Sequence, residues 1–291
     1  MTQQNRDQID YWNGDVGQRW AARHAALDAV FKPLTDALFK RAALNAGGRV
    51  LDIGCGAGKT ALRAARAVAE SGRVVAADLS APLLAAARQR SAREPASTAP
   101  IEWIEADAQS HDFGQGTFDH ALSRFGVMFF DDTEAAFDNI GRALAPGGRL
   151  TLLCWRALEE NAWVRVPREV VLPLIPGCEP MPADAPGPFR FADPRAVLPL
   201  LDAAGYHDIA CEPVDRNLTI GHSADGSAKG AVEAAADIVL DLGPVSRLLR
   251  DRDAALRESA RSIVTETLKH HVQDGAVRLG AACWLVSASR R

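Results

Sequence analysis

The pattern of apolar and polar positions changes its period repeatedly along the first half of the chain. Apolar residues at helical spacing predict one amphipathic helix from about Leu27 to Leu44, which ends at the Gly47-Gly48 pair. Short apolar runs then predict strands at residues 49–53, 74–77, 101–106, 118–123 and 150–155, with helices at 60–70, 81–93 and 133–144 between them. Strands that alternate with helices predict βαβ crossovers and a mostly parallel sheet covered on both faces.

The second half of the chain is less regular. Eight of the 16 prolines fall between Pro167 and Pro194 and predict an irregular but ordered insertion. Beyond it we expect a helix at 194–204, a strand at 209–214, a polar helical stretch at 223–271 and a final strand at 276–287. The predicted organisation is an N-terminal helical cap (1–45), an α/β core (46–155), a Pro-rich insertion (156–192), and a segment that completes the sheet and adds a helical lid (193–291).

Composition narrows the class of protein. The 291 residues carry a net charge of −4, and the pI is about 6.0. Nucleic acid is bound by clustered Lys and Arg side chains, so this net charge gives no general reason to expect nucleic-acid binding. The polar N-terminus lacks the apolar run of a signal peptide, and no stretch is apolar enough for a membrane span. The five cysteines are scattered and never spaced as C-x-x-C, so we expect neither disulfides nor a metal site, and a cytoplasmic location.

The segment most informative about function is residues 50–58, Val-Leu-Asp-Ile-Gly-Cys-Gly-Ala-Gly. Its three glycines lie between a buried strand and a helix, where a nucleotide-like ligand can lie against the loop backbone. The dinucleotide fingerprint G-x-G-x-x-G does not fit, because Lys59 stands where its third glycine belongs. The phosphate-loop motif does not fit either, because only three residues separate Gly54 from Gly58-Lys59-Thr60.

Two acidic positions follow the next two strands. Asp78 ends the second strand, 20 residues past Gly58, where a carboxylate can accept hydrogen bonds from both ribose hydroxyls. Asp107-Ala108 follows the third strand, where an acid can reach an adenine amino group. The alternative at each position is a helix cap.

At these residues the chain resembles the class I S-adenosylmethionine-dependent methyltransferases, in particular the bacterial small-molecule branch related to quinone-biosynthesis enzymes. The matching segments occur in the family's order at residues 51–58, 77–80, 105–108, 123–130 and 142–148. The resemblance implies S-adenosyl-L-methionine as cofactor and S-adenosyl-L-homocysteine as product. It also implies a Rossmann-like, doubly wound α/β fold: a seven-stranded sheet in the order 3-2-1-4-5-7-6, with an antiparallel last strand.

The resemblance assigns the cofactor-binding residues. A looser similarity at residues 11–14 and 17–20 implies that the N-terminal segment folds over the cofactor, although its aromatics could instead simply pack the first helices. The predicted cofactor-binding residues are Trp20, Asp52, Gly54, Cys55, Gly56, Gly58, Asp78, Leu79, Asp107, Ala108 and Ser123.

The acceptor is expected beyond the carboxyl ends of the strands, at the switch point between the first and fourth strands. Apolar and aromatic side chains there suit a flat, partly hydrophobic molecule. The predicted substrate-contacting residues are Tyr11, Phe125, Met128, Trp155, Trp163 and Phe189, with Phe191 as a further candidate wall. The alternative is that each packs the core. None of the seven histidines is assigned as a catalytic base.

The function that the sequence favours is transfer of a methyl group to an oxygen or carbon atom of a small molecule. Two alternatives stay open: a binding module that keeps the cofactor site without turnover, and a dinucleotide-dependent oxidoreductase. A nucleic-acid methyltransferase is disfavoured, because Ser123-Arg124-Phe125-Gly126 does not resemble the Asn/Asp-Pro-Pro-aromatic segment of enzymes that methylate base amino groups. The sequence does not identify the acceptor or the oligomeric state, and a homo-oligomer is possible. It also leaves open whether the N-terminal segment and the insertion move on binding.

Overall fold

The computed structural model describes residues 3–95, 97–177 and 185–291. The helices of these residues precede, alternate with and follow the strands. They are α1 (Gln3–Asn13), α2 (Asp15–Ala22), α3 (His24–Val30), α4 (Lys32–Ala42), α5 (Lys59–Val68), α6 (Ala81–Ser91), α7 (Thr133–Ala143), α8 (Ala162–Val171), α9 (Leu198–Ala203), α10 (Ala228–Asp241), α11 (Gly243–Leu248) and α12 (Ala254–Lys269).

A single mixed sheet forms the centre of the described part of the chain. Its strands are β1 (Arg49–Ile53), β2 (Arg73–Asp78), β3 (Ile101–Glu105), β4 (Phe118–Arg124), β5 (Leu144–Trp155), β6 (Tyr206–His222), β7 (Val272–Gln273) and β8 (Ala276–Arg290). The order is β3-β2-β1-β4-β5-β8-β6, with β7 paired to β8. The first five strands run parallel, and β8 is antiparallel to both β5 and β6. The predicted fold is confirmed, with the two-residue β7 as an additional strand.

The buried strands explain why a ligand site forms at one edge. Val50, Leu51 and Ile53 of β1 are at most 1% exposed, as expected for a parallel strand covered on both faces. Parallel register places Ile53 beside Ala77, and Asp78 beside Glu105. The carboxyl ends of β1, β2 and β3 therefore meet at the same edge of the sheet.

Two predictions about helices are wrong. The single helix predicted for 27–44 is broken at Phe31, and α4 restarts with Pro33 in its first turn. Proline has no N–H for the preceding turn, so a helix begins there more readily than it continues. The insertion is not irregular throughout, because α8 is regular around Pro167 and buries Trp163 and Val171. In this segment the helical spacing of the apolar residues determined the secondary structure more than the proline content did.

Strand ends also differ from the prediction. β6 extends over 17 residues and pairs with β8 along nearly its whole length, far beyond the predicted 209–214. Only five of its 17 residues are buried, so the apolar signal covers only part of the strand. No helix of the described residues has the length and apolarity needed to cross a membrane.

Candidate active site

A cavity of about 1150 Å³ opens above the carboxyl ends of the parallel strands. Its wall is formed by the glycine loop after β1, the ends of β2 and β4, the N-terminal helices and parts of α8 and α11. Most of the predicted site residues lie on this wall. They are Tyr11, Trp20, Gly54, Cys55, Gly56, Asp78, Leu79, Asp107, Ala108, Phe125, Trp155, Trp163 and Phe189.

The glycine loop is shaped by its backbone. Gly54, Gly56 and Gly58 all have positive φ angles, of 66°, 53° and 82°, which glycine adopts at little cost. The amides of Gly54 and Cys55 both donate to the carbonyl oxygen of Ala77, at 2.9 and 3.1 Å, and so fasten the loop to β2. A Cβ at Gly56 would meet no described atom within 4 Å, so the loop backbone is open to a ligand at this position.

Gly58 has a different role from Gly54 and Gly56. A Cβ built on it would lie 2.7 Å from the Trp103 ring and 2.9 Å from the methyl of Ala87. It does not lie on the cavity wall. The third glycine therefore lets the loop pack against β3 and α6, and its predicted contact with cofactor stays a prediction.

Asp78 is held in place by backbone amides. Its Oδ2 accepts a hydrogen bond from Gly56 N at 2.7 Å, and its Oδ1 accepts one from Ser80 N at 2.8 Å. Burial raises the pKa of this carboxyl, while the amide donors act in the opposite direction. The N-cap of α6 is Ser80, whose Oγ accepts from Leu83 N. Asp78 is thus not the helix cap, and it faces the cavity beside the loop.

Asp107 lies on the wall at the end of the next strand. Its Oδ2 accepts from Asn5 Nδ2 at 2.8 Å, and its Oδ1 accepts from Gln109 N at 2.9 Å. The second bond closes a local turn rather than capping a helix. Sequence analysis did not identify Asn5 or Gln109, because neither belongs to a spaced motif and Asn5 is 102 residues away.

Asp52 and Ser123 lie beneath the loop rather than on the wall. Asp52 is fully buried, and its Oδ2 accepts from Thr60 Oγ1 at 2.6 Å. Burial raises the pKa of Asp52 to about 7, against the effect of the Thr60 hydrogen bond. Ser123 Oγ donates to Ile53 O at 2.7 Å and accepts from Gly126 N at 3.2 Å. Both side chains support the loop, and direct contact with cofactor stays a prediction for each.

Aromatic rings form the wall above β4 and β5. Phe125 stacks on Trp155 with ring centroids 4.0 Å apart and planes 7° from parallel. Trp163 lies 5.1 Å from Trp155, and Phe31 meets both Phe125 and Trp155 edge-on. Met128 is fully buried behind this wall, where its Sδ accepts from Trp155 N at 3.4 Å. Phe191, the further candidate wall, is also buried, against Phe137.

The backbone of Phe125 is in the left-handed region, with φ at 68°. A bulky residue there costs about 1–2 kcal/mol. The following residue, Gly126, approaches the loop so closely that a Cβ at Gly54 would lie 2.8 Å from its Cα. The strained turn therefore brings β4 against the loop and presents the Phe125 ring to the cavity.

One face of α3 completes the wall and was not predicted. His24, Leu27, Asp28 and Phe31 are spaced to lie on the same side of the helix, and all line the cavity. Burial, followed by the charge of Arg90, lowers the pKa of His24. The apolar spacing of Leu27 and Phe31 predicts a helix but does not show that the same face meets a cavity.

Asp28 connects α3 to the floor of the site. It pairs with Arg90 at 2.7 Å and with Arg124 at 3.5 Å, and the three side chains are at most 18% exposed. Arg90 Nη1 also donates to Ala57 O at 2.6 Å, within the glycine loop. Burial lowers the pKa of the Arg124 guanidinium. This network fixes the loop, α3 and the end of β4 relative to one another.

No group of three or more His, Cys, Asp or Glu side chains among residues 3–95, 97–177 and 185–291 is arranged to hold a metal ion. The cavity wall presents amide donors, aromatic rings, guanidinium groups and carboxylates, of which Asp78 and Asp107 lie at the ends of neighbouring strands. A cradle of open loop backbone beside carboxylates at successive strand ends is suited to a nucleoside.

Comparison with known proteins gives consistent results. The family described as methyltransferase domain matches residues 50–148. A demethylmenaquinone methyltransferase from Thermus thermophilus is 33% identical over 169 residues, which cover 54% of this chain and 74% of that protein. An uncharacterised protein from Mycobacterium tuberculosis is 36% identical over 138 residues, 47% of this chain and 48% of that protein. The match thus spans about half the length of the mycobacterial relative.

Solved structures share the fold. Phosphoethanolamine N-methyltransferase 2 from Haemonchus contortus, in complex with phosphomonomethylethanolamine and S-adenosylhomocysteine, superimposes with a TM-score of 0.57 and 19% identity. The alignment covers 100% of this chain and 60% of that one. At this identity the similarity concerns the fold alone. From the matched domain and the Thermus relative, the chain belongs to the class I S-adenosylmethionine-dependent methyltransferases and resembles their quinone-biosynthesis members.

Proposed function

We propose that this chain binds S-adenosylmethionine and transfers its methyl group to a small, flat acceptor, leaving S-adenosylhomocysteine. The observation that carries the proposal is the arrangement of Asp78 and Asp107 beside the open backbone of Gly56, on the wall of one cavity. Asp78 suits the two ribose hydroxyls, and Asp107 suits the adenine amino group. Family membership and the sheet topology support the same assignment.

The residues fit this cofactor. When bound, S-adenosylmethionine supplies a methyl group on a cationic sulfur, which is already activated for transfer. The amides of Gly56 and Ser80 orient the Asp78 carboxylate before the ligand arrives. Asn5 donates to Asp107 Oδ2, so α1 contacts the carboxylate that we assign to the adenine amino group.

The main task of the protein in this reaction is to position the two reactants. The acceptor atom must approach the methyl group in line, at about 3 Å, and such orientation lowers the barrier by roughly 7–11 kcal/mol. The stacked pair Phe125–Trp155 offers a flat apolar surface to the acceptor. We assign Tyr11, Trp163 and Phe189 to the same surface, and we favour an oxygen or carbon atom as methyl acceptor.

Calorimetric titration with S-adenosylmethionine and S-adenosylhomocysteine tests the cofactor site. Wild type is expected to bind in the micromolar range, and Asp78→Ala is expected to bind at least ten times more weakly, a change of about 1.4 kcal/mol. Asp112→Ala is the matched control, because Asp112 is an aspartate off the cavity wall that also accepts a backbone amide, from Gly114. Absence of binding by folded wild type would exclude the proposal.

A second measurement tests turnover. Wild type is incubated with S-adenosylmethionine and a panel of phenols, quinols and other flat acceptors, and the products are identified by mass. Methylated product that requires Asp78 supports an enzyme. Tight cofactor binding with no product from any acceptor would instead favour a binding module without turnover.

A further inference from the structure

Four arginines on the cavity wall make no ion pair with the described residues: Arg168, Arg247, Arg250 and Arg252. Three of them, Arg168, Arg247 and Arg250, lie on α8, on α11 or within two residues of the end of α11. They differ from Arg124, which also lines the cavity but is committed to Asp28 and donates to Thr35 Oγ1 at 2.8 Å. A guanidinium group presents a planar fork of donors that matches carboxylate and phosphate oxygens. Unpaired guanidinium groups around one cavity therefore point to an anionic ligand.

The three arginines belong to adjoining elements. Arg168 is on α8, the helix that also contributes Trp163 to the aromatic wall. Arg247 is on α11, which packs against α8, and Arg250 lies two residues beyond the end of that helix. The Arg247 and Arg250 guanidinium carbons lie 5.8 and 4.9 Å from the centre of the Tyr11 ring. The cations and a predicted substrate-contacting ring thus share one part of the wall.

Six acidic residues of the cavity wall form no ion pair with these three arginines. Asp28 is paired with Arg90 and Arg124, while Asp78 and Asp107 accept backbone and amide donors. Asp10, Glu159 and Asp251 are exposed on the same wall, and none of them forms an ion pair with the three arginines. The whole chain carries a net charge of −4, so the cations are not part of a generally basic protein.

We propose that the acceptor is a flat-ringed anion, whose carboxylate or phosphate is bound by Arg247, Arg250 and Arg168. The ring lies against the aromatic wall of Phe125 and Trp155, and the charged group extends toward α8 and α11. The assignment of this ligand as the methyl acceptor rests on the function proposed above. The arginines select among flat molecules, because only an anionic ligand gains ion pairs with the guanidinium groups.

The test uses the full chain saturated with S-adenosylhomocysteine. Three probes of one shape are titrated by calorimetry: 1-naphthoate, 1-naphthyl phosphate and the neutral 1-naphthamide. At least one anion is expected to bind ten times more tightly than the amide, and binding of that anion should weaken with added salt. The carboxylate and phosphate titrations show which charged group the site prefers.

The variant Arg247→Gln/Arg250→Gln is expected to lose at least tenfold in affinity for the preferred anion, with unchanged affinity for S-adenosylhomocysteine. Both arginines are exposed, so the fold is expected to tolerate the change, which thermal unfolding verifies. Arg195→Gln is the matched control, because Arg195 is 90% exposed and lies off the cavity wall. It should leave both affinities unchanged.

Two outcomes would overturn the proposal. If the amide binds as tightly as both anions, the site does not select for charge. If the double variant weakens S-adenosylhomocysteine instead, the arginines serve the carboxylate of the cofactor. The anion titration is repeated without S-adenosylhomocysteine. Absence of cofactor binding would count against the proposed function, whereas absence of anion selectivity would count against the anion site, so the two failures are distinguished.

Discussion

At the scale of single residues, the least usual group near the site is the carboxyl of Asp52. It is fully buried, its Oδ1 has no hydrogen-bond partner among the described atoms, and burial raises its pKa to about 7. A raised pKa means that the folded state binds a proton more tightly than the unfolded chain, whose pKa is about 3.9. Ionisation of Asp52 therefore lowers stability as pH rises from about 4 to about 7, and the loss is complete above that range.

Asp52→Asn should remove this pH dependence. At pH 5 the folded wild type is protonated and neutral at this position, but the unfolded chain is already ionised, so the smaller part of the stability loss is present there. Between pH 5 and pH 8 the difference in free energy of unfolding should shift toward the variant, by at most about 3 kcal/mol. Urea unfolding at both pH values measures the difference. A difference between the two proteins that does not change with pH would show that Asp52 titrates normally in the folded state.

At the scale of elements, different glycines of the same loop serve packing and ligand binding. Gly56 and Gly58 both have positive φ, but only Gly58 is crowded by Trp103 and Ala87. Gly58→Ala is expected to lower the free energy of unfolding by about 2–5 kcal/mol, from a left-handed alanine and an overpacked contact together. Gly56→Ala should lose only about 1–2 kcal/mol. Urea unfolding distinguishes the two.

Gly116 supplies the matched control for this pair. Its φ is 63°, a Cβ there would meet no described atom within 4 Å, and it lies off the cavity wall. Gly116→Ala should therefore match Gly56→Ala in stability. Affinity for S-adenosylhomocysteine should fall in Gly56→Ala but not in Gly116→Ala, because Gly116 lies outside the glycine loop and off the cavity wall. Equal stability losses in all three variants would contradict the packing role of Gly58.

The same elements show what sequence could and could not predict. The individual strands and the loop could be predicted from local apolar runs and from spacings such as that between Gly58 and Asp78, which lie close in the chain. The strand order came from the resemblance to the methyltransferase family. Other contacts join residues that are far apart in the chain, so no local sequence pattern could predict them. They are the hydrogen bond from Asn5 to Asp107 and the ion pairs of Asp28 with Arg90 and Arg124. The two-residue β7 carries too few positions to show a period, and it forms only because β8 lies beside it.

At the scale of the whole molecule, the N-terminal helices are fastened to the sheet edge by a few hydrogen bonds. Asn13 Nδ2 donates to Leu79 O, and Ala81 N donates to Asn13 Oδ1, both at 2.9 Å. Ser80 Oγ donates to Trp12 O at 2.7 Å. These bonds hold α1 and α2 beside the Asp78 carboxylate, and through them Tyr11 and Trp20 become part of the cavity wall.

Asn13→Ala removes both bonds that this side chain makes to the segment between β2 and α6. Amide hydrogens of α1 and α2 are expected to exchange at least ten times faster, because local opening of this layer becomes easier, while those of β1 and β4 keep their protection. Asn217→Ala, an exposed position on β6, is the control.

Affinity for S-adenosylhomocysteine should fall together with the protection of α1, since Trp20 and Tyr11 reach the cavity only when this layer is docked. Faster exchange with unchanged affinity would show that the cofactor site is complete without the N-terminal helices, and unchanged exchange would show that the layer is held by its aromatic contacts instead.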